Sequence, residues 1–126
     1  MAETRYTREH LWVRLEDDGT VTVGLTEYGQ DTLGDAGFVE LPELHRELVE
    51  GESCAVVEGA SGPMDIFSPL EGSVSELNEL VVDEPGLINR DAEGEAWLFR
   101  MEIEDQDEEF DALLDDAAYE SFVEGL

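Results

Sequence analysis

Residues 55–72 read AVVEGASGPMDIFSPLEG, and this stretch decides the fold. The apolar run Ala55-Val56-Val57 stops at Glu58. Five turn-forming residues follow, Gly59-Ala60-Ser61-Gly62-Pro63. Apolar character resumes at Met64, Ile66 and Phe67 and ends at Ser68-Pro69. Two apolar runs split by a short Gly- and Pro-containing segment predict a β-hairpin with an exposed tip, and Ser61 stands at that tip. Cys54 lies just before the first run. It is the only cysteine, which excludes an internal disulfide, and its apolar setting reads as a buried, inert thiol.

Upstream of the hairpin, Gly37 to Leu41 (GFVEL) reads as a strand stopped by Pro42. His45 to Glu52 is polar and turn-like, with Val49 as a candidate for pairing. Thr26 to Leu33 (TEYGQDTL) reads as a short helix: Thr26 is a plausible N-cap, Tyr28 and Leu33 give an apolar side, and Gly34-Asp35 ends it. Leu11 to Leu15 (LWVRL) is an apolar-rich strand candidate, Thr20 to Gly24 (TVTVG) alternates, and the turn Asp17-Asp18-Gly19 between them predicts another hairpin. Residues 1–9 are polar and expected to fray as far as Tyr6.

Downstream, Gly72 to Glu76 (GSVSE) is a further strand. Leu77 to Leu80 continues toward Val81-Val82 until Asp83-Glu84-Pro85-Gly86 breaks the segment. Leu87-Ile88-Asn89 is a short apolar patch, Asp91 to Glu95 a polar loop, and Ala96 to Ile103 (AWLFRMEI) the last strand. Trp12, Trp97, Phe38, Phe67 and Phe99 fall in strand segments and are expected in the core. From Glu104 the composition shifts. Phe110, Leu113, Leu114, Ala117, Ala118, Phe122 and Val123 recur at helical spacing and predict one or two short helices. The fold class is mainly β, a small sandwich or flattened barrel with one internal helix and a helical tail. We read residues 1–126 as one domain, with a β-rich core over about 6–103 and the tail over about 106–124.

The charge is extreme. Against 34 Asp and Glu stand six basic residues, all arginine (Arg5, Arg8, Arg14, Arg46, Arg90 and Arg100), for a net charge of -28. The 126 residues contain no lysine. Nucleic acid and anionic membranes are excluded as partners, because both need a basic surface. No apolar run reaches membrane-spanning length, and the N-terminus has no signal-peptide core. Such self-repulsion disfavours a compact state at low ionic strength, and concentrated salt screens it. The composition therefore reads as a halophilic acidic protein of a salt-rich cytoplasm; an acidic protein of an ordinary cell is the alternative.

The residues offer little catalytic chemistry. No Gly-rich phosphate loop, CxxC or HExxH occurs. Ser61 with His10 or His45 and Asp65 supplies the residue types of a hydrolase triad, but Ser61 lacks the GxSxG setting. The run Asp105, Asp107, Glu108, Glu109, Asp111 invites a calcium loop. Counted from Asp105, its sixth position is Phe110 and its twelfth Asp116, where Gly and Glu are needed. No metal site and no enzyme follow.

The order of the motifs adds what composition lacks. Tyr6, His10, Trp12 and Val13 open a series that continues through Gly24, Thr26, Tyr28, Leu33-Gly34-Asp35 and Phe38-Val39-Glu40-Leu41-Pro42. Val57-Glu58, Asp65, Pro69 and Gly72 frame the hairpin. Pro85, Leu87, Asn89, Gly94, Trp97-Leu98, Leu113-Leu114 and Tyr119 follow in register. In this the chain resembles the H protein of the glycine cleavage system, from Tyr6 to about Phe122. The resemblance implies a lipoyl-carrier domain, a barrel-sandwich hybrid with a C-terminal helix, working in glycine catabolism. It implies a lipoyl arm on a hairpin-tip lysine that carries an aminomethyl group from glycine decarboxylase to aminomethyltransferase. Dihydrolipoyl dehydrogenase then reoxidises the arm.

The resemblance breaks at the tip. The family's Val-Glu-Ser-x-Lys-Ala-x-Ser-Asp aligns without a gap to Val57-Glu58-Gly59-Ala60-Ser61-Gly62-Pro63-Met64-Asp65, so Ser61, flanked by Glu58 and Asp65, takes the lysine's place. A hydroxyl cannot form the lipoyl amide. The family's His-Glu-Trp, whose Glu helps line the cleft for the loaded arm, is here His10-Leu11-Trp12. The resemblance thus implies an H-protein-like, non-lipoylated paralogue without cofactor. It would act by docking to the glycine cleavage enzymes, to lipoate-handling enzymes or to a protein of another pathway. The alternative is a working carrier with an unorthodox attachment at Ser61.

Overall fold

In a computed structural model, residues 3–16, 18–103, 110 and 112–125 are described. Among these described residues, nine strands form two antiparallel sheets. The larger has the order β1-β2-β3-β9-β8-β5, with β1 Glu3–Tyr6, β2 Leu11–Leu15, β3 Thr20–Leu25, β9 Phe99–Ile103, β8 Gly72–Leu77 and β5 Glu47–Leu48. The smaller has the order β4-β6-β7, with β4 Ala36–Glu40, β6 Ser53–Gly59 and β7 Gly62–Phe67. Among the described residues, four short helices connect or flank them: α1 Glu27–Leu33, α2 Glu79–Asp83, α3 Leu87–Asp91 and α4 Asp116–Glu124.

Period-two patterning builds the core. Leu11 and Val13 of β2, Val21, Val23 and Leu25 of β3, and Phe99 and Met101 of β9 all point inward and are buried. They meet Val39, Ala55, Val57 and Ile66 of the smaller sheet in one cluster. On the outer face, Trp12 pairs with Gly24, and a Cβ added at Gly24 would sit 2.7 Å from the indole ring. The ring lies in that gap, is 2% exposed, and donates its N–H to the Ala92 carbonyl at 2.9 Å. Arg5, Arg14, Arg46, Arg90 and Arg100 each pair with a glutamate within 3.4 Å. Such exposed pairs contribute little, and they leave most of the acidic surface uncompensated.

The predicted strands and the first helix stand, and several boundaries move. Residues 3–6 are not frayed: β1 pairs with β2, and Tyr6 exchanges backbone hydrogen bonds with Leu114. The segment after Leu77 does not continue extended. The Asn78 side chain accepts from Leu80 N and starts α2, while its amide donates to the carbonyls of Glu95 and Trp97. Leu87-Ile88-Asn89 is helical, as α3. The last strand starts only at Phe99. Pairing in the 45–52 segment falls on Glu47 and Leu48, and Val49 stays 57% exposed.

Among the aromatic residues, Trp12 and Phe99 are core, and Phe67 and Trp97 are half-buried. Phe38 is 50% exposed, because on β4 the inward position belongs to Val39. The tail helix α4 is capped by Asp115, whose carboxylate accepts from Ala118 N. It buries Tyr119 and leaves Ala117 and Ala118 exposed. Most of the acidic run that fails as a calcium loop, and the start of the tail, fall on residues 104–109 and 111, outside the described residues. Among the described residues no helix is long and apolar enough to cross a membrane.

Candidate functional site: the β6–β7 hairpin tip

The β6–β7 ladder runs in register from Ala55↔Ile66 to Gly59↔Gly62, so the connection is the two-residue turn Ala60-Ser61. The strands reach further than the Gly59–Pro63 turn segment suggested. Pro63 is tolerated because this sheet ends at β7, where a missing N–H breaks no ladder. Val57 and Ile66 anchor the arms in the core, and Glu58 and Asp65 lie exposed on the arms. Ala60 and Ser61 are exposed at the tip.

The tip nevertheless rests on α1. Thr26 caps that helix by accepting from Gly29 N, and Gly34, at φ 80°, ends it. The last carbonyls of a helix have no intrahelical partner. Here Thr32 O accepts from Ser61 Oγ at 3.0 Å and Leu33 O from Ser61 N at 3.1 Å. Just beyond the helix, Asp35 O accepts from Ala60 N at 3.1 Å. The approach depends on glycine: a Cβ on Gly59 would lie 2.6 Å from the Leu33 carbonyl oxygen. On the other side of the same turn stands Asn89 of α3. Its amide donates to Gly34 O and Gln30 Oε1, both at 2.9 Å, and its Oδ1 accepts from Ala36 N at 2.8 Å.

The other candidates do not converge on Ser61. The His10 Nδ1 lies 2.8 Å from Tyr119 Oη, which lies 2.8 Å from Thr26 Oγ1. Thr26 Oγ1 also accepts from Gly29 N, so the helix cap, the Tyr119 hydroxyl and the His10 ring form one connected hydrogen-bond chain. Burial holds the His10 pKa below its ordinary value, against the opposing pull of Glu9. The ring also packs against Tyr28 and Phe122, so His10 serves as the clasp for α4. His45 is exposed. Neither histidine hydrogen-bonds Ser61, whose hydroxyl is taken by Thr32. Among the described residues no cluster of His, Cys, Asp and Glu could hold a metal.

Cys54 is buried, and burial pushes its thiol up to about 11, so it is inert at neutral pH. Leu11, at the position of the family's cleft carboxylate, is 1% exposed and belongs to the core cluster. A carboxylate there would need a buried partner.

The residues that hold the tip lay beyond the sequence reading. Thr32, Leu33 and Asp35 act through main-chain carbonyls, which no residue type signals. Asn89 was visible only as one position of the motif series. The glycine pair Gly34 and Gly59 was the one usable hint.

The fold and this hairpin have counterparts. A sequence model described as Glycine cleavage H-protein matches residues 4–125. The glycine cleavage system H protein of Acidiphilium cryptum (strain JF-5) is 47% identical over 126 residues, covering 100% of both chains. That of Thermotoga maritima is 47% identical over 122 residues, covering 97% of each chain. That of Halorhodospira halophila (strain DSM 244 / SL1) is 45% identical over 121 residues, covering 96% of this chain and 92% of its own. A crystal structure of a glycine cleavage system H protein from Mycobacterium marinum superposes with a TM-score of 0.84 at 32% identity, covering 98% of both chains.

Proposed function

The chain belongs to the glycine cleavage H-protein family, and from that premise we propose that it is a member that carries no lipoyl group and acts by binding. The observation that supports this reading is the composition itself. The family's arm is an amide of a lysine, and this sequence has no lysine. The residues at the tip do not fit the group. Ser61 offers only a hydroxyl, and that hydroxyl already donates to Thr32 O. The frame around the tip is intact, with Glu58 and Asp65 outward and Val57 and Ile66 in the core. Such a protein keeps the family's outline and loses its transfer chemistry. Glycine decarboxylase, aminomethyltransferase, dihydrolipoyl dehydrogenase and the lipoate-handling enzymes are the partners to test first. Its place is the cytoplasm of a salt-accumulating cell, where screening offsets the net charge of -28.

Intact-mass measurement of protein purified from its native host tests the first part. The expected result is the unmodified chain; a lipoyl adduct would sink the reading. Dialysis tests the second: circular dichroism should show structure lost in dilute buffer and regained in concentrated salt.

A working carrier is the second reading, and the 47% identity over the full chain favours it. It requires acylation of the Ser61 hydroxyl or a non-covalent arm. Glycine cleavage reconstituted with this chain as the sole H component decides between the two. Our reading expects no turnover with lipoate and ligase present.

A further inference from the structure

We propose that Asn89 is a positioning residue for the hairpin tip. It acts through the strip that follows α1, Gly34 to Ala36, and touches the tip only through that strip. The inference rests on the reading above for the meaning of position 61 as the attachment position; the geometry stands independently of it.

The tip and the strip complement one another. A two-residue turn leaves backbone donors without ladder partners, and a helix C-terminus leaves carbonyls without partners. Three donors of the tip (Ala60 N, Ser61 N and Ser61 Oγ) meet three carbonyls (Asp35, Leu33 and Thr32) at 3.0–3.1 Å. Two of the acceptors, Leu33 and Asp35, flank Gly34. A Cβ on Gly34 would lie 3.0 Å from Ala60 Cβ, so the two segments touch as well as bond.

Asn89 fixes the same strip from behind. Ala36 N–H must meet an acceptor, which sets the amide orientation with Oδ1 toward it. The amide nitrogen then faces Gly34 O and Gln30 Oε1. One side chain thus ties α3, the last turn of α1 and the start of β4 together. It pins both ends of the Gly34–Ala36 strip whose neighbouring carbonyls receive the tip. The consequence is a hairpin tip with a fixed heading. Whatever approaches residue 61, a modifying enzyme or a docking partner, meets it in one orientation.

Amide hydrogen exchange read by NMR tests this in the full chain. In Asn89→Ala, the Ala60 and Ser61 amides should exchange about tenfold faster, while the amides of β3 and β9 keep their rates. Asn89→Asp keeps an acceptor for Ala36 N and loses both donors, so it should fall between. It also supplies the comparison should Asn89→Ala fail to fold. Unchanged tip rates, or tip rates that rise only in step with β3 and β9, would overturn the proposal.

A second arm separates it from the reading of position 61. Purified Ser61→Lys protein, with and without Asn89→Ala, is incubated with lipoate, ATP and a lipoate ligase and followed by intact mass. Ser61→Lys should gain one lipoyl group, and the double variant should gain it about tenfold more slowly. Equal rates would count against positioning. No acylation of Ser61→Lys would instead remove the attachment reading, and the exchange measurement would still decide the role of Asn89.

Discussion

The β2–β3 and β6–β7 hairpins are close in size, yet they are secured differently. The first closes on itself. Glu16 N donates to Thr20 O, Gly19 N to Glu16 O, and the Asp18 carboxylate accepts from both Thr20 N and Thr20 Oγ1. Gly19 takes φ 89°, as a tight turn demands. The second hairpin closes on another element, through three hydrogen bonds from Ala60 and Ser61 to the end of α1. A self-closed turn is set by its own few residues. A docked turn takes its orientation from its support, so substitutions far away in sequence can move it.

The largest separation between the two should come from their glycines. Gly59→Val drives a side chain into Leu33, and overpacking of this kind costs about 3 kcal/mol. Gly19→Val only strains a left-handed backbone, at about 1–2 kcal/mol. Urea unfolding in concentrated salt measures both. If Gly59→Val were no costlier than Gly19→Val, the contact with α1 would not be what secures the tip. Removing a single hydroxyl should matter less. Ser61→Ala loses the bond to Thr32 O and should cost about 0.5–1 kcal/mol, with faster exchange at Ser61 N and none at Thr20 N.

Acid should sharpen the contrast with the smallest effects. His10, at the start of β2, has a folded pKa below its unfolded value, because burial disfavours its charged form. The folded state therefore binds fewer protons, and stability starts to fall as pH drops through about 6.5. The α4 clasp should loosen first, visible as exchange at Tyr119. Asp18 is held low by hydrogen bonds from the Thr20 side chain and backbone, so its contribution is present above about pH 4 and lost as pH falls toward its depressed folded value. The groups that bond the tip to α1 are carbonyls, amides and a hydroxyl, none of which titrates there. Tip exchange that followed either step would show the two hairpins to be coupled.

The same contrast explains what could be read from the sequence. TVTVG announces β3 by its alternation and LWVRL announces β2 as an apolar run, with a local Asp-Gly turn between them. Thr26 announces α1 just as locally: its cap acts within three residues. The hairpin itself was legible in Gly59–Pro63, but its docking was not, since the acceptors are main-chain carbonyls about thirty residues upstream. Asn78 misled in a related way. Leu80-Val81-Val82 is apolar and two of its residues are β-branched, yet the Asn78 cap and the burial of Val81 make it helical. Phe38 reads as core by type, and only the sheet's orientation shows that Val39 took the inward place. The place of Ser61 in the turn was legible, because two apolar runs around a Gly- and Pro-containing segment are a local signal.

The sealed indole of Trp12 also gives the molecule an optical reporter of its own. Its ring is shut behind the 91–96 turn with its N–H engaged, so its emission should stay blue while that turn is closed. Trp97, half-buried beneath Arg100 just before β9, offers a second emitter. A neutral quencher such as acrylamide can tell them apart, whereas iodide would be repelled by a surface of net charge -28. The proposed unfolding on dilution of salt can then be tested without a label: quenching of Trp97 marks the folded baseline, and a red shift of Trp12 would mark the moment the sheet gives way.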